Sequence, residues 1–221
     1  MKNIFTIVFS ITMMIFLSGC AKNQELYDYS SFTKNKPKSI LVVLPTNESL
    51  DIKGSSATLA NSILPLSEAG YYVFPPVLVN ETFKHNGVYE GKEIRNVSLE
   101  KLKEIFGADS VLYINVKKYG NNYAVLASKT EIELEAKLVD LHSGKTLWNK
   151  ETKFIKSSGD SGGGLIGMLV TAVVTQIVNE STDQAYEASM IANNILFRTN
   201  CNDCILYGNY SPNFNKDLQL K

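Results

Sequence analysis

The sequence predicts a single α/β domain of three-layer type, with helices packed on a mixed, partly antiparallel sheet of about five strands. Three observations predict it. Ser39-Ile40-Leu41-Val42-Val43-Leu44 is a short, unbroken apolar run of the kind found in strands buried on both faces. A helical pattern and a second short apolar run follow it, which is the strand, helix, strand order of a right-handed parallel crossover. From Thr130 to Leu138, apolar and charged residues alternate strictly, as in a strand with one wet face in an antiparallel part of a sheet.

The chain has 221 residues. Lys2 gives a basic start, and Ile4 to Phe16 form an apolar run too short for a dedicated spanning helix, so residues 1–19 read as a signal peptide. Leu17-Ser18-Gly19-Cys20 resembles the lipobox of bacterial lipoproteins, in which the cysteine sulfur takes a diacylglycerol and becomes the first mature residue. Cys20 is the expected lipidation site, and two or three acyl chains would make attachment close to permanent. Ala21 and Lys22 follow, with no aspartate as an inner-membrane retention signal, which favours the outer membrane and a domain facing the periplasm, with surface exposure left open.

Cleavage before Cys20 removes Lys2 and leaves 21 basic against 22 acidic side chains. That balance offers no field for nucleic acid, and no nucleic-acid partner is expected. Residues 20–38 are polar and aperiodic and read as a lipidated flexible tether. The domain is expected over residues 39–200 and an irregular tail over 201–221.

Pro45 closes the first strand, which is the best candidate for the centre of the sheet. Ser55 or Ser56 can cap a helix carrying Leu59, Ile63 and Leu66 on one side, with a kink or break at Pro65 and a left-handed stop at Gly70. Tyr71 to Phe74 is the second strand, stopped by Pro75-Pro76. Val77 to Asn86 can hold a short helix, and residues 87–95 read as a polar loop. Ser98 opens a helix with Leu99, Leu102, Ile105 and Phe106 on its buried face and Gly107 at its end. Ser110 to Val116 is the third strand, and a turn at Tyr119-Gly120-Asn121-Asn122 leads to a fourth at Tyr123 to Ala127. The alternating strand then turns at His142-Ser143-Gly144-Lys145 into Thr146 to Ile155, completing a long hairpin. In that last strand Leu147, Trp148 and Phe154 offer core or partner surface. After a break at Ser157 to Gly164 come an all-apolar stretch, Leu165 to Val178, and an amphipathic helix, Thr182 to Phe197.

Few residues carry chemistry. Gly162-Gly163-Gly164-Leu165-Ile166-Gly167 satisfies G-x-G-x-x-G, but the strand before it reads as antiparallel and the first acid after it, Asp183, lies within the next helix. No cofactor is expected. Gly163, Leu165 and Gly167 fit either close packing on the sheet or, with Trp148, a contact with a partner or a second copy. Ser143-Gly144-Lys145-Thr146 fails as a phosphate loop because Val139 stands where glycine is required. His85 and His142 are isolated, so neither a metal site nor a catalytic triad can be assembled, and no enzyme is expected. Cys201 and Cys204 remain once Cys20 is lipidated, and in an oxidising compartment they are expected to pair. A structural staple is favoured over a redox pair because no helix start follows the first cysteine.

Five stretches carry a resemblance: residues 65–75, Ile105-Phe106-Gly107-Ala108-Asp109, Leu138-Val139-Asp140-Leu141 with Gly144 and Leu147-Trp148, residues 164–167, and Leu206-Tyr207-Gly208-Asn209-Tyr210-Ser211-Pro212. Through them the chain resembles a family of Gram-negative lipoproteins of unknown function, known from meningococcal vaccine-candidate surveys. Asn209 and Ser211 depart from that family's pattern. The resemblance implies a fold similar to the TolB amino-terminal domain and the CsgG periplasmic domain, a CsgG-like lipoprotein as neighbour, and no catalytic residues. The function expected is a membrane-anchored, non-enzymatic component of an envelope secretion or surface-assembly complex, with a homo-oligomer allowed. The alternative is a periplasmic module for a small ligand or glycan, with Tyr71 and Tyr72 lining a cleft.

Overall fold

A computed structural model describes residues 26–124, 127–157 and 183–220. Helix α1 (Ser30–Asn35) leads into β1 (Ser39–Val42) and β2 (Thr46–Asn47), followed by α2 (Lys53–Glu68) and β3 (Tyr72–Val73). Three helices follow, α3 (Pro76–His85), α4 (Gly91–Ile94) and α5 (Leu99–Phe106). The long strands β4 (Ser110–Ala124), β5 (Ala127–Asp140) and β6 (Thr146–Ser157) precede α6 (Gln184–Leu196).

The mixed α/β architecture expected from the sequence is present, with six strands in the order β3-β1-β4-β5-β6 and β2 beside β4. β1 pairs in parallel with β3 and β4, whereas β5 is antiparallel to both β4 and β6. The centre is therefore β4, and β1 lies one place to its side. β4 takes that place because its length lets it carry β1 and β2 in series along one edge and the whole of β5 along the other.

β1 alternates between two cores. Ile40 and Val42 join Leu112, Ile114, Leu134 and Leu138 under α2 and α6, while Leu41 and Val43 meet Val79, Phe83, Ile94 and Leu102 of the other helical layer. The continuous apolar run is thus a strand covered on both sides. β5 keeps Ile132, Leu134, Ala136 and Leu138 in the first core and carries its charges on the opposite face.

Several local expectations change. α2 starts at Lys53, whose N–H is accepted by Asp51 Oδ1 at 2.9 Å, and it runs through Pro65 unbroken. The polar loop before Ser98 contains α4, held by Glu93 Oε2, which accepts the N–H groups of Tyr89 and Glu90. The turn expected at Tyr119 to Asn122 is absent, since β4 continues to Ala124 through a bulge between Val116 and Lys118. A fourteen-residue ladder with β5 outweighs the local turn propensity.

The two ends of the described chain are not loose. Tyr29 and Phe32 are buried in the first core, so residues 26–38 belong to the domain and not to a tether. Cys204, Ile205 and Leu206 are buried too, and the tail closes against the end of α2. Gly208 donates to Ala69 O at 2.8 Å, and Tyr210 N–H reaches Gly70 O at 3.0 Å. A Cβ on Gly208 would lie 2.3 Å from Gly70 O, and one on Gly70, at φ +96°, would lie 2.4 Å from Ser211 N.

Gly208→Ala should therefore destabilise the domain by about 2–3 kcal/mol in denaturant melts, since backbone must move to admit the methyl. Gly87→Ala, at φ +77° in open space, should cost only about 1 kcal/mol. Equal losses would show that the tail contact is not as close as described.

Candidate functional site

Two features of the described chain can act on something outside it: a crevice beyond the carboxyl ends of the parallel strands, and the cysteine loop of the tail. In open α/β sheets the first is the usual place for a ligand. The crevice has a volume of about 730 Å³ and lies between residues 48–52, after β2, and the Lys117 to Gly120 part of β4.

Its loop is fixed from within. Asn47 Nδ2 donates to Asp51 O at 2.7 Å, while Asn47 Oδ1 accepts both Ser49 N–H and Ser49 Oγ–H. Glu48 N–H continues the β2 register onto Val116 O, and Asn115 Nδ2 donates to Glu48 Oε1. Gly54 packs closely here, since a Cβ would sit 3.0 Å from Asn47 Nδ2 and press on that side chain. On this braced loop Leu50 and Ile52 stand almost wholly in solvent. Large aliphatic side chains held rigidly outward are characteristic of contact surfaces. The sequence carried a signal for them, two aliphatics in an otherwise polar connection, which the reading of residues missed.

The crevice wall is ionic. Glu131 is buried beneath lysine side chains at 2.7 Å from Lys153 Nζ, 3.2 Å from Lys118 Nζ and 3.6 Å from Lys129 Nζ. The Lys153 hydrogen bond, aided by Lys118 and opposed by desolvation, lowers its pKa to about 2. Such a carboxylate stays ionised and is neither acid nor base near neutrality. Tyr119 borders the crevice too, but it pairs with Ile132 and its side chain packs in the first core, on the face opposite Glu131. Its buried hydroxyl has no hydrogen-bond partner among the described residues, and burial, with Asp183 and Asp51 nearby, raises its pKa.

The expected site residues are placed unevenly. Trp148 is removed from the contact set: it is fully buried against Phe197, and its Nε1–H donates to Asp203 O at 2.9 Å. The tail and α6 cover the face of β6 that the sequence left open. Tyr71 does not line a cleft either, since it is buried and donates to Leu206 O, while Tyr72 is exposed on the edge strand β3. Cys20, Gly163, Leu165 and Gly167 lie outside the described residues. Cys201 and Cys204 are joined through sulfur, with Cα atoms 5.0 Å apart. With Asp203 they form the one group of possible metal ligands among the described residues, all within 4.8 Å. Sulfurs bonded to each other supply no thiolate, so the donor set does not fit a metal in this state. Among the described residues no helix is long and apolar enough to cross a membrane.

Comparison with known proteins adds lineage. Residues 27–210 match the family "Putative lipoprotein GNA1162-like". The lipoprotein NMB1124/NMB1162 of Neisseria meningitidis serogroup B is 46% identical over 187 residues, which is 84% of this chain and 87% of that protein. The crystal structure of lipoprotein GNA1162 from Neisseria meningitidis is similar at 52% identity and a TM-score of 0.56, covering 65% of this chain and 99% of that one. A PelC dodecamer from Paraburkholderia phytofirmans matches at 11% identity and a TM-score of 0.40, over 63% of this chain and 83% of that one, a distance at which the likeness carries no argument.

The Glu131 arrangement has a pH signature. Its folded pKa, about 2, lies below the 4.5 of an unperturbed glutamate, so its stabilisation is complete above about pH 4.5 and is lost as pH falls toward 2. Denaturant midpoints compared at about pH 5 and pH 2.5 should fall more in the wild type than in Glu131→Gln. Parallel falls would show that the lysines do not hold this carboxylate.

Proposed function

We propose, from the premise that this chain belongs to the GNA1162-like lipoprotein family, that it is a non-enzymatic binding component of an envelope secretion or surface-assembly complex. Lipid on Cys20 anchors it to the outer membrane, with the folded body in the periplasm. The observation that carries the reading is the braced loop that presents Leu50 and Ile52 to solvent beside an ionic crevice. Apolar anchors ringed by charge suit a protein partner better than a substrate, because they gain affinity by leaving water while the charges set orientation. The partner is an envelope protein, for which the family resemblance suggests a CsgG-like lipoprotein, and a second copy of the chain can use the same surface. The glycine-led stretch with Gly163, Leu165 and Gly167 is a second contact candidate, and the Cys201–Cys204 bridge links the two ends of the tail loop.

A ligand-binding reading is favoured by one observation, the buried hydroxyl of Tyr119, a residue bordering the crevice, which has no hydrogen-bond partner among the described residues. Such a group is costly to bury unpaired, and a polar ligand group would satisfy it.

Crosslinked membranes carrying tagged full-length protein should yield an envelope-protein adduct that is lost, or reduced at least tenfold, in the double variant Leu50→Asp, Ile52→Asp. Both positions are exposed, so the fold should persist. Recovery of the same adduct from the variant would overturn the assignment of this surface. The ligand reading predicts instead a thermal shift of the wild-type domain with envelope glycans that Tyr119→Phe abolishes.

A further inference from the structure

Lys150 projects from the core-side face of β6 into the tail, and its surroundings give the cysteine pair a polarity that a plain staple lacks. Its Nζ is 2.8 Å from Asp203 Oδ1 and 3.5 Å from Cys204 Sγ. The Lys150 side chain is 11% exposed and that of Asp203 54%, so solvent screens the carboxylate more than the ammonium. Cys204 is buried, whereas Cys201 is partly exposed. The loop between them is held independently of the sulfurs. The single proton of Tyr29 OH is shared between Asn202 O and Cys204 O, Trp148 Nε1–H donates to Asp203 O, and Asn202 Oδ1 accepts Tyr27 N–H.

We propose that Cys201–Cys204 is an exchangeable disulfide that accepts electrons from a dithiol, with Cys201 as the sulfur attacked and Cys204 as the leaving thiolate received by Lys150. The inference rests on the two sulfurs being paired and assigns that pair a reaction. A thiolate of the dithiol attacks Cys201 Sγ, the bond between the protein sulfurs breaks, and its electron pair goes to Cys204 Sγ beside the ammonium. The second thiolate of the dithiol then attacks its own sulfur in the mixed disulfide and releases Cys201. The protein gains two electrons, the dithiol becomes a disulfide, and the two protons that it loses are matched by the two that Cys201 and Cys204 take up.

Exchange is faster when the leaving thiol has a lower pKa and when the attacked sulfur is accessible. A neighbouring lysine lowers a thiol pKa as a helix start does. Among the described residues the charged groups beside Cys204 are Lys150 and Asp203, with the neutral phenols of Tyr27 and Tyr29 adjoining the loop. Lys150 stabilises the thiolate and Asp203 opposes it, so their removal has opposite effects. Because Tyr29 and Trp148 keep the loop closed, the two thiols stay neighbours after reduction and can reoxidise.

The test uses full-length lipoprotein extracted in detergent, dithiothreitol as the dithiol, and mass spectrometry after thiol alkylation. Wild type should arrive oxidised and be reduced within minutes. Lys150→Met should slow reduction about threefold, as expected for a shift of about one pKa unit in the leaving thiol, and Asp203→Asn should speed it. With glutathione alone, the mixed disulfide should map to Cys201. Unchanged rates in both variants, changes of the same sign, or a mixed disulfide on Cys204 would overturn the exchange proposal while leaving the bridge intact. Two alkylatable thiols before any reductant is added would overturn the bridge itself. Should Lys150→Met fail to fold, Asp203→Asn still decides the sign.

Discussion

The rest of the structure depends on the closure of the two chain ends upon each other. Tyr29, Tyr71 and Trp148 aim their only polar atoms at the carbonyls of residues 202–204 and 206, and Asp217 accepts Tyr207 N–H. These groups are buried or nearly so. Each bond adds only about 1 kcal/mol net, yet leaving one unmade strands a buried polar group at about 1–3 kcal/mol. Closure is therefore strongly specified, and it carries the folded body forward to Tyr27. Seven residues lead from Cys20 to Tyr27, a reach of at most about 25 Å. Were Cys20 lipidated as proposed, that reach would keep the folded body close to the bilayer.

The same frame separates attachment from contact. Tyr27 meets Asn149, which pairs with Lys137, and Lys137 in turn pairs with Tyr113 of β4. The crevice lies by Gly120, seven residues along β4, which is about 23 Å at strand rise. Tyr27 and the crevice thus lie toward opposite ends of the sheet, so that lipidation at Cys20, as proposed, would leave the Leu50 loop away from the point of attachment. That arrangement suits a body that stands on one membrane and offers its far end to neighbours.

The legible parts of the sequence were those where neighbours in sequence decide the outcome. β5 alternated because one face is core and the other ionic, α5 announced itself through Ser98, whose hydroxyl accepts Lys101 N–H, and through Gly107 at φ +64°. The parallel crossover followed from β1, α2 and β3 in order. What could not be read depends on partners far away in the chain. Tyr27 and Tyr29 looked like polar-segment residues because their contacts are about 175 positions distant. Trp148 was half right, correctly placed on a strand but covered by a tail that had no pattern of its own. Lys150 beside Cys204 follows from the sheet register and was invisible in the line of residues. The Tyr119 to Asn122 turn failed because Gly120, at φ +123°, serves β4 after its bulge instead of ending it.

Fractionation of cells producing the full chain and its Cys20→Ala variant bears most directly on a body held at a membrane by its first mature residue. The wild type should sediment with outer-membrane vesicles and resist extraction by high salt, while the variant should appear in the soluble periplasmic fraction with an unchanged melting temperature. Co-sedimentation of both proteins in equal amounts would contradict lipid anchoring at Cys20.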